Sequence, residues 1–184
     1  RNRQQEIVKS FAGDLVEAFK KGVEFADEIY KVPLDVRADV LFASPGGFSH
    51  DANLYESCKG INSALEAVKK NGVLALIAEC SRGYGDRTFY ECITKFKDLK
   101  RVENSLKKQF TAGGYIAYCL MKALERVEMI LVSALPDYYA LEVFKLKTAK
   151  TVNEALRYAL ATKKNARVLA ISHGNVTIPI VKQP

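Results

Sequence analysis

The sequence has no Trp and only two histidines, His50 and His173, so imidazole chemistry has two positions open to it. Its four cysteines, Cys58, Cys80, Cys92 and Cys119, are too scattered for a CxxC metal clip. Buried free thiols in a reducing cytoplasm are the expectation, and with them a cytoplasmic location. No apolar run approaches the roughly 18 residues of a membrane span. Val73–Ala78, for example, is only strand-sized. No basic-apolar-small leader pattern opens the chain, which begins on Arg1 and reads as a piece of a longer or processed protein. Internal repeats, low-complexity linkers, a GxGxxG fingerprint and a Walker A loop are all missing. RRM, KH and zinc-finger signatures are missing too, so neither a nucleic acid nor a membrane is expected as partner.

What remains is an ordinary globular composition. At 184 residues, 48% hydrophobic and 27% charged, the chain can bury a core and is not disordered. The net charge of +7 comes wholly from residues 144–184, where eight basic groups from Lys145 to Lys182 face Glu154 alone. These lie mostly on a helix and its flanks, and a solvated face is the expected reading.

Asn2–Tyr30 reads as a helical lead-in, with Leu15, Phe19, Val23, Ala26 and Ile29 at three-to-four spacing and Asp14 able to cap the part after Gly13. Tyr30–Val36 alternates like a strand, and Pro33 demotes it to an edge. Val40–Ala43, Val73–Ala78 and Met129–Val132 read as central strands covered on both faces, and Arg167–Ser172 as the last strand of the alternation. A helix from Leu54, closed by Asn71-Gly72, separates the first two. Helices carrying Phe89–Phe96, Arg101–Phe110 and Tyr115–Arg126 follow the second, with Thr111-Ala-Gly-Gly114 as a break. A short strand is expected around Val143–Leu146, and Thr151-Val-Asn-Glu154 is a capping box opening a helix to Lys163. This alternation predicts an α/β fold, a Rossmann-like, mostly parallel sheet with helices on both faces, forming a single domain over 1–184.

Ligands of such sheets gather at the strands' carboxyl ends. That rule selects Ser44–Asn53, Glu79–Arg87, Ser133–Asp137 and Ser172–Asn175. Gly46, Gly47, Gly83 and Gly85 would let backbone N–H groups approach a ligand, with plain turn glycine as the competing reading. On the helix that follows, Tyr55 and Lys59 share one face beside the apolar stripe. A lysine near the positive end of that helix would favour an anion; a snorkelling surface lysine is the alternative.

The stretch Ser44-Pro-Gly-Gly-Phe-Ser-His-Asp-Ala-Asn-Leu-Tyr-Glu-Ser-Cys-Lys-Gly60, then Val68-Lys-Lys-Asn-Gly72 and Glu79-Cys-Ser-Arg-Gly-Tyr-Gly85, resembles the carboxy-terminal domain of the nickel-pincer lactate racemase family. Phe11-Ala-Gly-Asp14, Val132-Ser-Ala-Leu-Pro136 and Ser172-His-Gly174 add further echoes, and Asn53–Lys59 is the most specific part. The resemblance implies the carboxy-terminal domain of a two-domain chain, interconverting the stereoisomers of lactate or a related 2-hydroxy acid. In that family a nickel-pincer pyridinium nucleotide takes and returns a hydride while two histidines move the hydroxyl proton. That cofactor, its lysine and the catalytic histidines belong to the amino-terminal domain, so this chain is expected to hold no cofactor or metal and to be inactive alone. Lys59, Tyr55, Glu56 and Phe110 match positions on the substrate side. Glu56 replaces a Gln, and Phe110 stands near an expected Trp as an apolar wall. Gly46, Gly47, His50, Asp51, Asn53, Gly83 and Gly85 would line the cleft. His50 is expected to structure its loop and His173 to form a strand-end hydrogen bond. The alternative from another class is a non-catalytic α/β module that binds a small anionic metabolite.

Overall fold

A computed structural model describes residues 6–182. Five parallel strands form the main sheet: β2 (Ala38–Ala43), β3 (Val68–Ile77), β4 (Glu128–Val132), β5 (Lys147–Ala149) and β6 (Val168–Ile171), in the spatial order β5-β4-β3-β2-β6. The central strands are apolar over Val40–Ala43, Val73–Ile77 and Met129–Val132 because both faces are covered there, whereas the flanking β5 and β6 are partly exposed. On one face Leu41, Leu74, Leu76, Met129 and Leu131 meet α2 (Leu54–Ser57), α3 (Ile61–Ala67), α4 (Arg87–Lys95), α5 (Leu99–Lys108) and α6 (Ala112–Arg126). On the other, Val40, Phe42, Val73, Ala75 and Ile130 meet Ala155 and Ala159 of α7 (Val152–Thr162). Side chains thus alternate between two cores with the period of a strand.

The order of strands reverses at β2. From it the chain steps outward through β3 and β4 to β5, then crosses through α7 to place β6 on the opposite flank of β2. The loops leaving β2 and β6 thus lie side by side at the reversal, the place where such sheets bind ligands. A separate parallel pair joins β1 (Lys31–Leu34) to β7 (Ile178–Val181), with Pro33 opposite Ile180. Pro33 thus lies outside the main sheet, as its missing N–H requires.

Several expectations are corrected. The lead-in helix starts at Leu15, and residues 6–14 are not helical; Asn2–Gln5 lie outside the described residues. Asp14 ends the irregular stretch by accepting from the N–H groups of Val16 and Glu17 at 3.0 and 3.1 Å. The apolar stripe of α1 (Leu15–Tyr30) is not packed on the sheet, and Leu15 is 83% exposed.

The helix expected to run from Leu54 to Asn71 is broken instead into α2, a 3-10 turn at Cys58–Gly60, and α3. Val68 already belongs to β3, opposite Ala38, and a register shift follows before Val40 pairs with Val73. Asn71 takes φ 61° within that irregularity. Thr111-Ala-Gly-Gly114 opens α6 and does not merely interrupt: Thr111 Oγ1 accepts from the Gly114 N–H at 3.2 Å. A Cβ on Gly113 would stand 2.1 Å from Asp86 Oδ1 and 2.6 Å from the Phe89 nitrogen, so the starts of α4 and α6 touch backbone to backbone. Val143–Leu146 is not a strand. A π-helical turn occupies Tyr138–Val143, and Phe144 and Leu146 are apolar because they fill the core.

Thr151 caps α7 as expected, accepting from the Glu154 N–H at 3.1 Å, while Glu154 reaches back to the Lys150 N–H at 2.9 Å. Thr151→Ala is expected to cost about 1 kcal/mol, read as a lowered urea midpoint at unchanged m-value. The basic carboxy-terminal segment is partly neutralised at the surface, Lys147 by Glu128 at 2.6 Å and Lys182 by Asp35 at 2.8 Å.

Candidate functional site

Two loops at the reversal point are joined along their backbones. The Cys80 and Arg82 N–H groups donate to the carbonyls of Asp51 and Ala52, each at 2.8 Å, and those of Leu54 and Tyr55 to Gly83 and Tyr84, each at 3.1 Å. The loop after β6 joins them, with the Gly174 N–H donating to the Ser44 carbonyl at 2.7 Å. Gly46, Gly47, Gly83 and Gly85 all take positive φ, between 73° and 122°. The three loops therefore form one surface, held mainly by peptide groups.

Asn53 closes it. Its Oδ1 accepts from the Glu56 N–H at 2.9 Å and caps α2. Tyr55, Glu56 and Lys59 come together beyond the cap. Lys59 Nζ is 2.7 Å from Glu56 Oε2 and 5.0 Å from the centre of the Tyr55 ring. Because the helix stops at Ser57, a helix dipole contributes little at this short element. The charge facing Lys59 is Glu56. Tyr55 is backed by Phe89, whose ring centre is 5.9 Å away.

Phe110 is 69% exposed and lies 6.2 Å from the Tyr115 ring. The Tyr115 hydroxyl accepts from Asn62 Nδ2 at 3.4 Å, and Asn62 follows Lys59 by three residues. Phe110 thus packs on Tyr115, which in turn meets Asn62, two residues that the sequence did not single out. Asn175 was also missed as an individual residue, although its loop was selected; its Nδ2 donates to the Glu56 carbonyl at 3.2 Å.

The two histidines meet around Gly46. A Cβ there would lie 3.3 Å from His173 Cδ2 and 3.8 Å from His50 Cδ2. His173 Nδ1 pairs with the Ser172 hydroxyl at 2.9 Å, and its carbonyl accepts from Thr177 Oγ1 at 2.9 Å. The His50 N–H donates to Gly47 at 2.8 Å, within its own loop. Asp51 lines a hollow of about 280 Å³ with Ser44, Glu79, Ser133 and Lys150, at the carboxyl ends of β2, β3, β4 and β5. Its Oδ1 and that of Asn175 are buried with no hydrogen-bond partner among the described residues. A larger cavity, about 620 Å³ between α4, α6 and the π-helical turn, contains none of the predicted site residues.

All four cysteines are buried and unpaired. Burial pushes the Cys80 thiol up to about 11, against a lowering hydrogen bond from Ser57. Burial also raises Cys58, Cys92 and Cys119, so these thiols are poor nucleophiles. Among the described residues no three His, Cys, Asp or Glu side chains converge to hold a metal ion. No helix there is long and apolar enough to cross a membrane.

A parallel sheet with its order reversed at β2 and helices on both faces defines an α/β domain of the doubly wound class, with three loops gathered at the reversal and an ion pair on the turn that follows. A family model described as the lactate racemase C-terminal domain matches residues 34–179, and the chain belongs to that family. It is 30% identical over 177 residues to a lactate racemase of Thermoanaerobacterium thermosaccharolyticum, covering 94% of this chain and 41% of that protein. A lactate racemase of Lactiplantibacillus plantarum is 28% identical over 178 residues, covering 94% and 42% respectively. The chain thus spans less than half the length of these relatives. The apoprotein structure of the Thermoanaerobacterium enzyme superposes with a TM-score of 0.84 over 97% of this chain and 44% of its own, at 30% identity. A Thermotoga maritima protein shares the fold at 13% identity and a TM-score of 0.60, over 91% of this chain and 42% of its own.

Proposed function

We propose that the chain is the substrate-side domain of a racemase or epimerase acting on lactate or a related 2-hydroxy acid. The observation that carries this reading is the Tyr55–Glu56–Lys59 cluster at the reversal point, inside the matched residues 34–179. Lys59 donates charge-assisted hydrogen bonds to the substrate carboxylate. The Tyr55 ring faces the lysine ammonium at 5.0 Å, and Phe110 supplies an apolar wall. Gly46 and Gly47 let the loop backbone come close to the bound acid.

The resemblance also implies a nickel-pincer nucleotide. We assign that cofactor, and the groups that move protons, to an amino-terminal half like the extra length of the relatives. The exposed apolar stripe of α1, with Leu15 and Phe19, suits contact with such a half. The chain's own part is to bind and orient the acid, and alone it would not racemise.

Because the chain buries its central strands β2, β3 and β4 on both faces, binding can be measured on it directly. Titration of D- and L-lactate into the isotope-labelled chain is expected to shift amide resonances within Asn53–Gly60. Lys59→Ala is expected to weaken binding roughly tenfold or more, the worth of a charged hydrogen bond. Shifts confined to the cavity beside Phe144, or affinity indifferent to Lys59→Ala, would refute the assignment.

A further inference from the structure

Lys59 does not offer its charge freely. Its ammonium lies 2.8 Å from Glu56 Oε1 and 2.7 Å from Oε2, bridging both oxygens of the carboxylate. The Glu56 backbone is held in place by others: Asn53 Oδ1 takes its N–H at 2.9 Å and Asn175 Nδ2 bonds its carbonyl at 3.2 Å. The side chain is therefore presented from a fixed point. Both partners remain reachable, with side chains 43% and 30% exposed.

A carboxylate approaching Lys59 must share the ammonium with Glu56, and it brings like charge to within a hydrogen bond of that group. An ammonium has three donors and a carboxylate about four acceptor positions, so each partner keeps capacity after the pair has formed. A substrate fits best when it brings an acceptor for Lys59 and a donor for Glu56 together. The carboxylate is the acceptor. The 2-hydroxyl is a poor choice of donor, because its proton must leave in the proposed racemisation.

We infer that the site selects 2-hydroxy acids carrying a second hydrogen-bond donor, a hydroxyl or an ammonium, on the carbon beyond the reacting centre. Glu56 is the specificity-determining residue: it accepts from that donor while Lys59 holds the carboxylate. The inference rests on the substrate-side reading above, and its test separates the two.

Lactate, 2,3-dihydroxypropanoate and 3-amino-2-hydroxypropanoate would be titrated into the wild-type chain, Glu56→Gln, Glu56→Ala and Lys59→Ala. The wild type is expected to bind the two donor-bearing acids roughly two- to tenfold more tightly than lactate, the range of one hydrogen bond. A gain confined to the amino acid identifies an ammonium as the donor, and a gain for both identifies any donor. Glu56→Gln and Glu56→Ala are expected to tighten lactate and bring the affinity ratios toward one. Thermal melting of both variants checks that they fold, and the ratio is a readout that a purely structural role would leave alone. Tighter binding of lactate by the wild type, or ratios unchanged in both Glu56 variants, overturns the inference. If Lys59→Ala leaves all three acids unaffected, or no acid binds, the substrate-side reading itself fails.

Discussion

Phe89→Ala is expected to destabilise the protein by about 3–5 kcal/mol, the usual cost of emptying a buried aromatic site. Phe89 is fully buried on α4, stacked on Phe144 at 5.1 Å and 16°. Phe144 follows the π-helical turn, and Tyr84 and Tyr90 pack around it. The ring therefore joins α4, the π-helical turn and the loop after β3, and these neighbours cannot all close the gap together. On its other side Phe89 backs Tyr55, so the loss should reach the site as well. Urea unfolding is expected to show the lowered midpoint, and lactate titration a weakened affinity with Lys59 unaltered. Phe89→Leu, which keeps most of the volume, should recover the greater part of both. A loss under about 1 kcal/mol for Phe89→Ala would mean that this cluster does not clamp the helices.

The three central strands were legible because burial on both faces forces an unbroken apolar run, and Val40–Ala43 and Val73–Ile77 have little else to be. The same signal misled at Val143–Leu146, where Phe144 and Leu146 serve the core from irregular backbone. Apolarity reports burial, and conformation only through period and length. Val68 shows the converse. It continues the stripe of Leu54, Cys58, Ile61 and Leu65, yet it is buried as the first residue of β3. Nothing in the spacing distinguishes a helix that ends at Ala67 from one that runs four residues further. β7 was missed because four residues containing Pro179, half exposed, give too short an alternation.

The site divides in the same way. Tyr55, Glu56 and Lys59 meet because they lie within four residues of one another on a turn, a distance that sequence spacing can express. Asn175 reaches Glu56 across 119 residues, and Asn62 reaches Tyr115 across 53. Those contacts exist only because β6 lies beside β2 and α6 packs against the turn at Cys58–Gly60, which no local pattern encodes. The glycines of the loops were visible, but what each of them approaches was not.

Gly85 is where that difference becomes measurable. It takes φ 90°, and a Cβ on it would lie 2.3 Å from Asn53 Oδ1, 2.6 Å from Asn53 Cγ and 3.0 Å from Tyr55 Cβ. Asn53 cannot yield freely, because its Oδ1 caps α2 and its carbonyl accepts from Ser57 Oγ at 2.8 Å. Gly85→Ala is therefore expected to cost about 1–2 kcal/mol in backbone strain and a further ~1 kcal/mol in the displaced cap. The Glu56 N–H loses its acceptor, and the Tyr55–Glu56–Lys59 cluster shifts with it. Carboxylate binding should fall roughly tenfold although no charged residue has changed. Gly83→Ala isolates the contact from the strain: its φ is 73°, but its Cβ would meet nothing within 4 Å. That variant is expected to lose about 1 kcal/mol of stability and keep its affinity for lactate. Equal losses of affinity in the two variants would show that loop backbone strain alone, and not the Asn53 cap, governs the site.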